Sequence, residues 1–289
     1  MPRSCRASVM AVVSLAFACV ALSACSQAAT PMSALQPKLA PPTIKQAGTL
    51  RAAVDLSNPP LAGNDNGKQS GIDVDVASAL AEKLGLKLEL VDVKASGIAT
   101  AIADHSADIA LSAPYSSELL SRASIAGTYL TDGPALFVSR ATSASLDPSA
   151  TVRALKAAKV GAQQGSESYW ALLIDVGPDG VTPYPTLRSA LEALRKGEVQ
   201  YVGGDALVGA YIARDVPEVR FAQQLGSARP LGVAVATDNS SLSDAVRTTL
   251  DQLAADGVLD AIRSKWVGTL PRLNVPASAE TSASVETTP

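Results

Sequence analysis

Cysteine is nearly missing from this chain of 289 residues, and its three copies, Cys5, Cys19 and Cys25, all stand at the N-terminal end. The rest of the sequence holds no thiol, so disulfides and thiolate metal sites are excluded there and the fold must rest on packing. Histidine is scarcer still: His105 is the only one. A single histidine in a turn, with no cysteine near it, leaves no Ser-His-Asp or Cys-His constellation and argues against zinc. Aromatic residues make up 4% of the chain, and no Lys/Arg-rich stripe interleaves with them. A nucleic-acid surface is therefore not expected. No cofactor motif is present either, and none is expected to bind. What the chain does have is apolar content, 47% against 18% charged, enough for a real core and against wholesale disorder.

The first residues carry the sharpest local signal. Arg3 and Arg6 precede an apolar run from Ala7 to Leu22, which is short for a membrane span and suits a secretory leader. The run ends Leu22-Ser23-Ala24-Cys25. Small residues before a cut and cysteine after it resemble the lipobox of bacterial lipoproteins, which implies residues 1–24 as leader and Cys25 as the lipid-bearing residue. Acyl chains on Cys25 would hold the protein at a membrane. Residues 25–41 are rich in Ala, Pro and Ser without periodicity and read as a tether. Such a chain spans on the order of 20–25 Å when flexible. Residues 271–289 read as a disordered tail on the same grounds.

Between these ends, strand and helix patterns alternate. Leu50–Leu56 reads as a strand, Val74–Leu84 as a helix stopped by Gly85, and Leu86–Val93 as an alternating strand. A helix over 97–104 and a buried strand over 108–111 follow. The pattern then restarts, with helices over 151–158, 167–176 and 187–196, strands over 159–163 and 199–203, and a closing helix pair over 242–255 and 258–266. Two serial βα sets predict an α/β protein of two lobes, each a mostly parallel sheet flanked by helices, with a ligand crevice at the strands' carboxyl ends.

Four stretches then carry a family resemblance. They are GTLRAAVD over Gly48–Asp55, GIDVDVA over Gly71–Ala77, the stretch from Ala190 to Asp205, and Asp256–Gly257 followed by IRSKWVG over Ile262–Gly268. In order and at this spacing they resemble the family 3 extracellular solute-binding proteins, the polar amino-acid receptors of ABC importers. The resemblance implies a type II periplasmic-binding-protein fold, two lobes joined by two crossing strands. Lobe 1 would be residues 42–133 plus 231–270, and lobe 2 residues 134–230. The crossings would fall near residues 131–136 and 226–231.

The same resemblance implies a ligand set of Asp205, Asp55, Gln163, Ser166, Glu167, Ala113, Tyr115 and Arg122. Asp205 matches the aspartate that pairs with a ligand ammonium, although Asp is also an ideal helix N-cap. Asp55 ends the first strand, as a ligand contact or as a solvated loop acid. Gln163 and Ser166 leave a strand and enter a helix, where free N–H groups suit an anion. Glu167 is unusual in that loop and could select a cation or face water. Asp73 and Asp75 read as structural acids at a helix start. The main departure follows Asp108. The family's carboxylate-clamping arginine falls on Leu120 here, and Arg122 stands two residues on, about 200° around a helix. Arg122 could serve only if the loop Ala113–Ser117, with Pro114 and Tyr115, is rebuilt.

The expected function is capture of an amino acid or related amine-bearing solute, without catalysis, for an ABC permease, by a monomer on the outer face of the membrane or in the periplasm. A degenerate receptor serving as sensor or scaffold for a protein partner is the alternative. A cyclohexadienyl-dehydratase-like enzyme is a third reading.

Overall fold

The structure, a computed structural model, describes residues 36–141 and 151–276. The leader and Cys25 lie outside them. Two five-stranded sheets organise the chain. The first is ordered β5-β1-β6-β13-β7, from β5 (Lys87–Asp92), β1 (Thr49–Val54), β6 (Ile109–Pro114), β13 (Arg229–Ala236) and β7 (Ala123–Asp132). The second is ordered β10-β9-β11-β8-β12, from β10 (Val181–Tyr184), β9 (Val160–Gln163), β11 (Tyr201–Asp205), β8 (Pro134–Ser139) and β12 (Val219–Gln224). A small ribbon of β2 (Ser57–Asn58), β3 (Ala62–Asp65) and β4 (Lys68–Ser70) follows β1.

Strand directions locate the gap between the sheets. In the first sheet β1 runs parallel to β5 and β6, while β13 runs against both β6 and β7. In the second, β9 runs parallel to β10 and β11, while β8 runs against β11 and β12. Each sheet thus holds one reversed strand, and that strand is the one arriving from the other sheet: β7 passes into β8 through Gly133, and β12 into β13 through residues 225–228. A strand that enters from the gap must begin where its neighbours end. The carboxyl ends of the remaining strands therefore all face the gap, the usual ligand position in open α/β sheets.

Helices cover both sheets. α1 (Ile72–Lys83), α2 (Ile98–Ala103), α3 (Ser117–Leu120), α8 (Ser240–Ala255) and α9 (Val258–Val267) accompany the first. α4 (Thr151–Lys156), α5 (Glu167–Val176), α6 (Leu187–Arg195) and α7 (Ala206–Ala213) accompany the second. α6 shows the period most clearly: Leu187, Leu191 and Leu194 share a buried face, and Thr186 closes a capping box with Ser189. Phe137 on β8 is fully buried and meets Phe221 edge-on at 6.1 Å, a favourable aromatic geometry.

The expected elements are present with their bounds moved by a few residues. The two flanks are corrected. The expected tether is attached to the body at two of its residues: Lys38 N–H donates to Leu84 O at 3.0 Å, and Leu39 is partly buried against the core. Of the expected tail, residues 271–276 are held as well. Leu273 is buried, and Asn274 exchanges bonds with the Gln224 side chain at 2.7 and 2.9 Å. An extended segment that packs through one or two residues has no periodicity for composition to reveal. The remainder of both flanks lies outside the described residues.

Candidate functional site

Asp205 is the last residue of β11 and the N-cap of α7, with backbone angles of a cap, yet its carboxylate makes no capping bond. The capping is done from elsewhere. Asp132, the last residue of β7, accepts the Leu207 N–H at 3.1 Å, and Gly133 O accepts the Ala206 N–H at 2.9 Å. The crossing strand thus satisfies the first donors of α7, and Asp205 accepts no side-chain hydrogen bond among the described residues. Two glycines set its position. A Cβ on Gly203 would lie 2.4 Å from Leu172 of α5, and one on Gly204 would lie 2.5 Å from Leu187 of α6. Only the bare backbone lets both helices close on β11 just before the acid.

Three more charged groups gather here. Arg229 opens β13 opposite Asp132 in the ladder. Its Nη1 donates to Glu167 Oε2 at 2.7 Å. Burial raises the Asp132 carboxyl to about 6, the Asp205 charge adds to that, and the N–H groups of Leu207 and Gly133, with Arg229, oppose it. Asp205 is also raised, chiefly by burial, with Arg229 opposing and Glu167 adding. Burial works against the Arg229 charge, but Glu167, Asp132 and Asp205 outweigh it and hold the guanidinium protonated. Three carboxylates face one guanidinium, which leaves the cluster negative and receptive to a cation.

The loop leaving β9 adds N–H groups. Ser166 caps α5 by accepting the Tyr169 N–H at 3.1 Å, and Gln163 Oε1 accepts the Leu187 N–H at 3.2 Å. The N–H groups of Glu167 and Ser168, in the first turn of α5, have no acceptor among the described residues. A helix start with free donors suits an anion.

The side chains of the other expected residues make no hydrogen bond or ion pair with this cluster among the described residues. Asp55 is filled locally by the Ser57 hydroxyl at 2.6 Å, the Ser57 N–H at 3.1 Å and Lys94 at 3.1 Å. Burial pushes its carboxyl up, but these donors outweigh that and bring it to about 2. Ala113 is fully buried beside Gly232. Tyr115 shares a 2.9 Å hydrogen bond with Thr128. Arg122 is exposed, beyond the end of α3, and precedes Ala123, which pairs with Ala236. Arg229 and Ala236 lie at opposite ends of β13, so Arg122 is about 24 Å along the sheet from the Arg229–Asp132 pair. Leu120, in the family's arginine position, is exposed.

Asp132 and Arg229 were not singled out from the sequence, although both fall within the expected crossings. The available signal was two charges in otherwise apolar strands. A second buried acid, Asp73, accepts from the Tyr129 hydroxyl at 2.5 Å and the Ser112 hydroxyl at 2.7 Å, and burial raises it to about 6 against those bonds. Ser112 has φ 50 and gives its N–H to Tyr129 at 2.8 Å, so the network holds a strained turn in β6. Asp75 accepts from Lys265 and the Trp266 indole at 2.7 Å each, joining α1 to α9. Among the described residues no group of acids and histidine could hold a metal ion, and no helix is long and apolar enough to cross a membrane.

Known proteins resemble this chain in sequence and in fold. The L-cystine-binding protein TcyJ of Escherichia coli is 25% identical over 228 residues, covering 78% of this chain and 85% of that protein. The L-arginine-binding protein of Pseudomonas aeruginosa is 24% identical over 238 residues, covering 78% and 90%. A solved ancestral cationic amino acid solute-binding protein is 27% identical, with a TM-score of 0.67, covering 76% of this chain and 96% of that one. The curated relatives are binding proteins, not enzymes. The model of the bacterial extracellular solute-binding proteins, family 3, matches residues 50–269. That match spans most of the chain, which therefore belongs to family 3 of the bacterial extracellular solute-binding proteins.

Proposed function

We propose that this protein captures a cationic amino acid, or a related amine-bearing solute, between its two lobes and delivers it to an ABC permease. One observation carries the reading: Asp132 takes over the capping of α7, which leaves the desolvated Asp205 carboxylate without a donor. A ligand ammonium supplies that donor. Glu167 extends the negative field, and the first turn of α5 with Ser166 and Gln163 faces the same gap. Asp55, Ala113, Tyr115 and Arg122 are left out of this set. Cys25 carries the lipid that holds the receptor at the membrane, with residues 26–35 leading to the folded body. Lobe 1 comprises residues 36–133 and 229–276, and lobe 2 the described residues between.

Thermal-shift and calorimetric measurement against L-arginine, L-lysine, L-cystine and simple amines tests this. At least one should stabilise the wild type, and Asp205→Asn should weaken its binding about 30-fold or more, the worth of one charge-assisted bond of about 2 kcal/mol. Unchanged affinity in Asp205→Asn, with the ligand bound elsewhere, would remove Asp205 from the site. No stabilisation by any of them would remove the function.

A further inference from the structure

We propose that Arg229 receives the carboxylate of the solute, in place of the arginine that the family carries at the position of Leu120. The inference rests on the function proposed above. Position is the first argument. Arg229 and Asp132 are ladder partners on the two crossing strands, and side chains of such partners leave the same face of a sheet. Arg229 therefore stands beside the acid that caps α7, next to the free carboxylate of Asp205.

Donor count is the second argument. A guanidinium has five N–H donors in a planar fork. Arg229 spends one on Glu167, through Nη1. Its Nε and Nη2 make no hydrogen bond among the described residues, and its side chain is half exposed. Glu167 holds the group at the start of α5, whose Glu167 and Ser168 N–H groups are also free. A carboxylate placed there meets a guanidinium edge and helix N–H groups together.

Charge separation is the third. Asp205 offers acceptors only, and Arg229 offers donors only. A zwitterion matches that pair of poles, ammonium to Asp205 and carboxylate to Arg229. The excess of three carboxylates over one guanidinium leaves a further positive charge to be supplied by the guest's side chain. Arg122, exposed and at the far end of the β13 ladder, is not placed to compete.

The test compares amino acids with their decarboxylated counterparts: L-arginine with agmatine, L-lysine with cadaverine, L-cystine with cystamine. Affinities are measured by calorimetry on the full chain. Wild type should prefer the carboxylate-bearing member of a pair by about 30-fold or more, as one bidentate charge-assisted contact provides. Arg229→Gln should cut that preference to about 3-fold or less and leave amine affinity within about 3-fold. Arg229→Lys, which keeps the charge and loses the fork, should lie between them and serves if Arg229→Gln folds poorly. Arg122→Gln should bind like wild type. Equal weakening of amino acid and amine by Arg229→Gln and Arg229→Lys would make Arg229 a structural counter-ion and overturn the proposal. So would loss of the preference in Arg122→Gln, or a wild type without any preference. A wild type that binds no member of any pair overturns the proposed function itself, and this inference falls with it.

Discussion

Asp132→Asn should stabilise the unliganded protein, and the gain should depend on pH. Asp132 is 9% exposed, and its carboxyl is raised from 3.8 to about 6. Because the folded state holds the proton more tightly than the unfolded chain, stability from this group is fully present below about 3.8 and is lost as pH rises through about 6. A shift of about two units corresponds to about 3 kcal/mol over the whole titration, of which about 2–3 kcal/mol falls between pH 4 and pH 7. Asn keeps an oxygen for the Leu207 N–H and cannot ionise. The stability of the variant relative to wild type should therefore climb by that amount over that interval and then level off.

For a domain of this size about 1 kcal/mol moves Tm by 2–4 °C, so the gap between the two melting curves should widen by on the order of 5–10 °C. Scanning calorimetry of both proteins at half-unit pH steps gives the gap directly. Taking the difference cancels the titrating groups that do not interact with Asp132, Asp73 among them. Saturation with a cationic guest should shrink the gap, since an ammonium beside Asp205 relieves the like-charge repulsion that helps raise Asp132. Parallel curves, or a wild type that gains on the variant as pH rises, would refute the reasoning.

Two other substitutions test the packing of α7 and the proposed lipid anchor. Gly209 lies inside α7, where a Cβ would sit 2.1 Å from the ring of the fully buried Phe137. Gly209→Ala gains about 1 kcal/mol of helix propensity but overpacks the core by about 1–3 kcal/mol or more, so denaturant melts should show net destabilisation; a more stable variant would mean that α7 does not pack as described. Cys25→Ser should abolish fatty-acid labelling and release the protein from the membrane fraction of a bacterial host, and persistent labelling of the variant would place the lipid on another residue.

The fold was legible wherever one face of an element is buried and the other is wet. α6 and α1 could be read for that reason, and β5 for its alternation. The reading failed where burial is nearly complete or pairing is distant. α7 is apolar on almost every side, because it lies between the second sheet and its neighbouring helices, so it shows no period. β13 is buried along most of its length and pairs with strands some hundred residues earlier, and no local pattern encodes that. The site divides in the same way. Asp205 could be singled out because it ends a readable strand, at a position that matches the aspartate of the resemblance. Its freedom from capping could not, because the residue that caps α7 in its stead is 73 positions away, at 132. For Asp55 and Arg122, position in a motif suggested ligand contact, and the structure adds what local pattern could not: Lys94 and Ser57 bond to the first, and the second precedes the far end of β7.

If Asp205 receives the solute as proposed, the placement of Asp132 ties recognition to a crossing strand between the two sheets. α7 is fixed at both ends. Its first donors go to Gly133 and Asp132 on one crossing strand, and at its far end Arg214 donates to the carbonyls of Lys265 and Trp266 on α9, at 2.8 and 3.1 Å. A helix held at its start by a crossing strand and at its end by α9 cannot tilt without disturbing one of these contacts. In the empty site, repulsion between Asp132 and Asp205 acts across the α7 start, and Arg229 on the other crossing strand offsets part of it. A guest cation bound as proposed would remove that repulsion at the start of α7, where Gly133 and Asp132 of one crossing strand are bonded. On the proposed function, the free energy of capture would thereby act on the crossing segments, and a ligand shifts a conformational equilibrium only through such differential contacts.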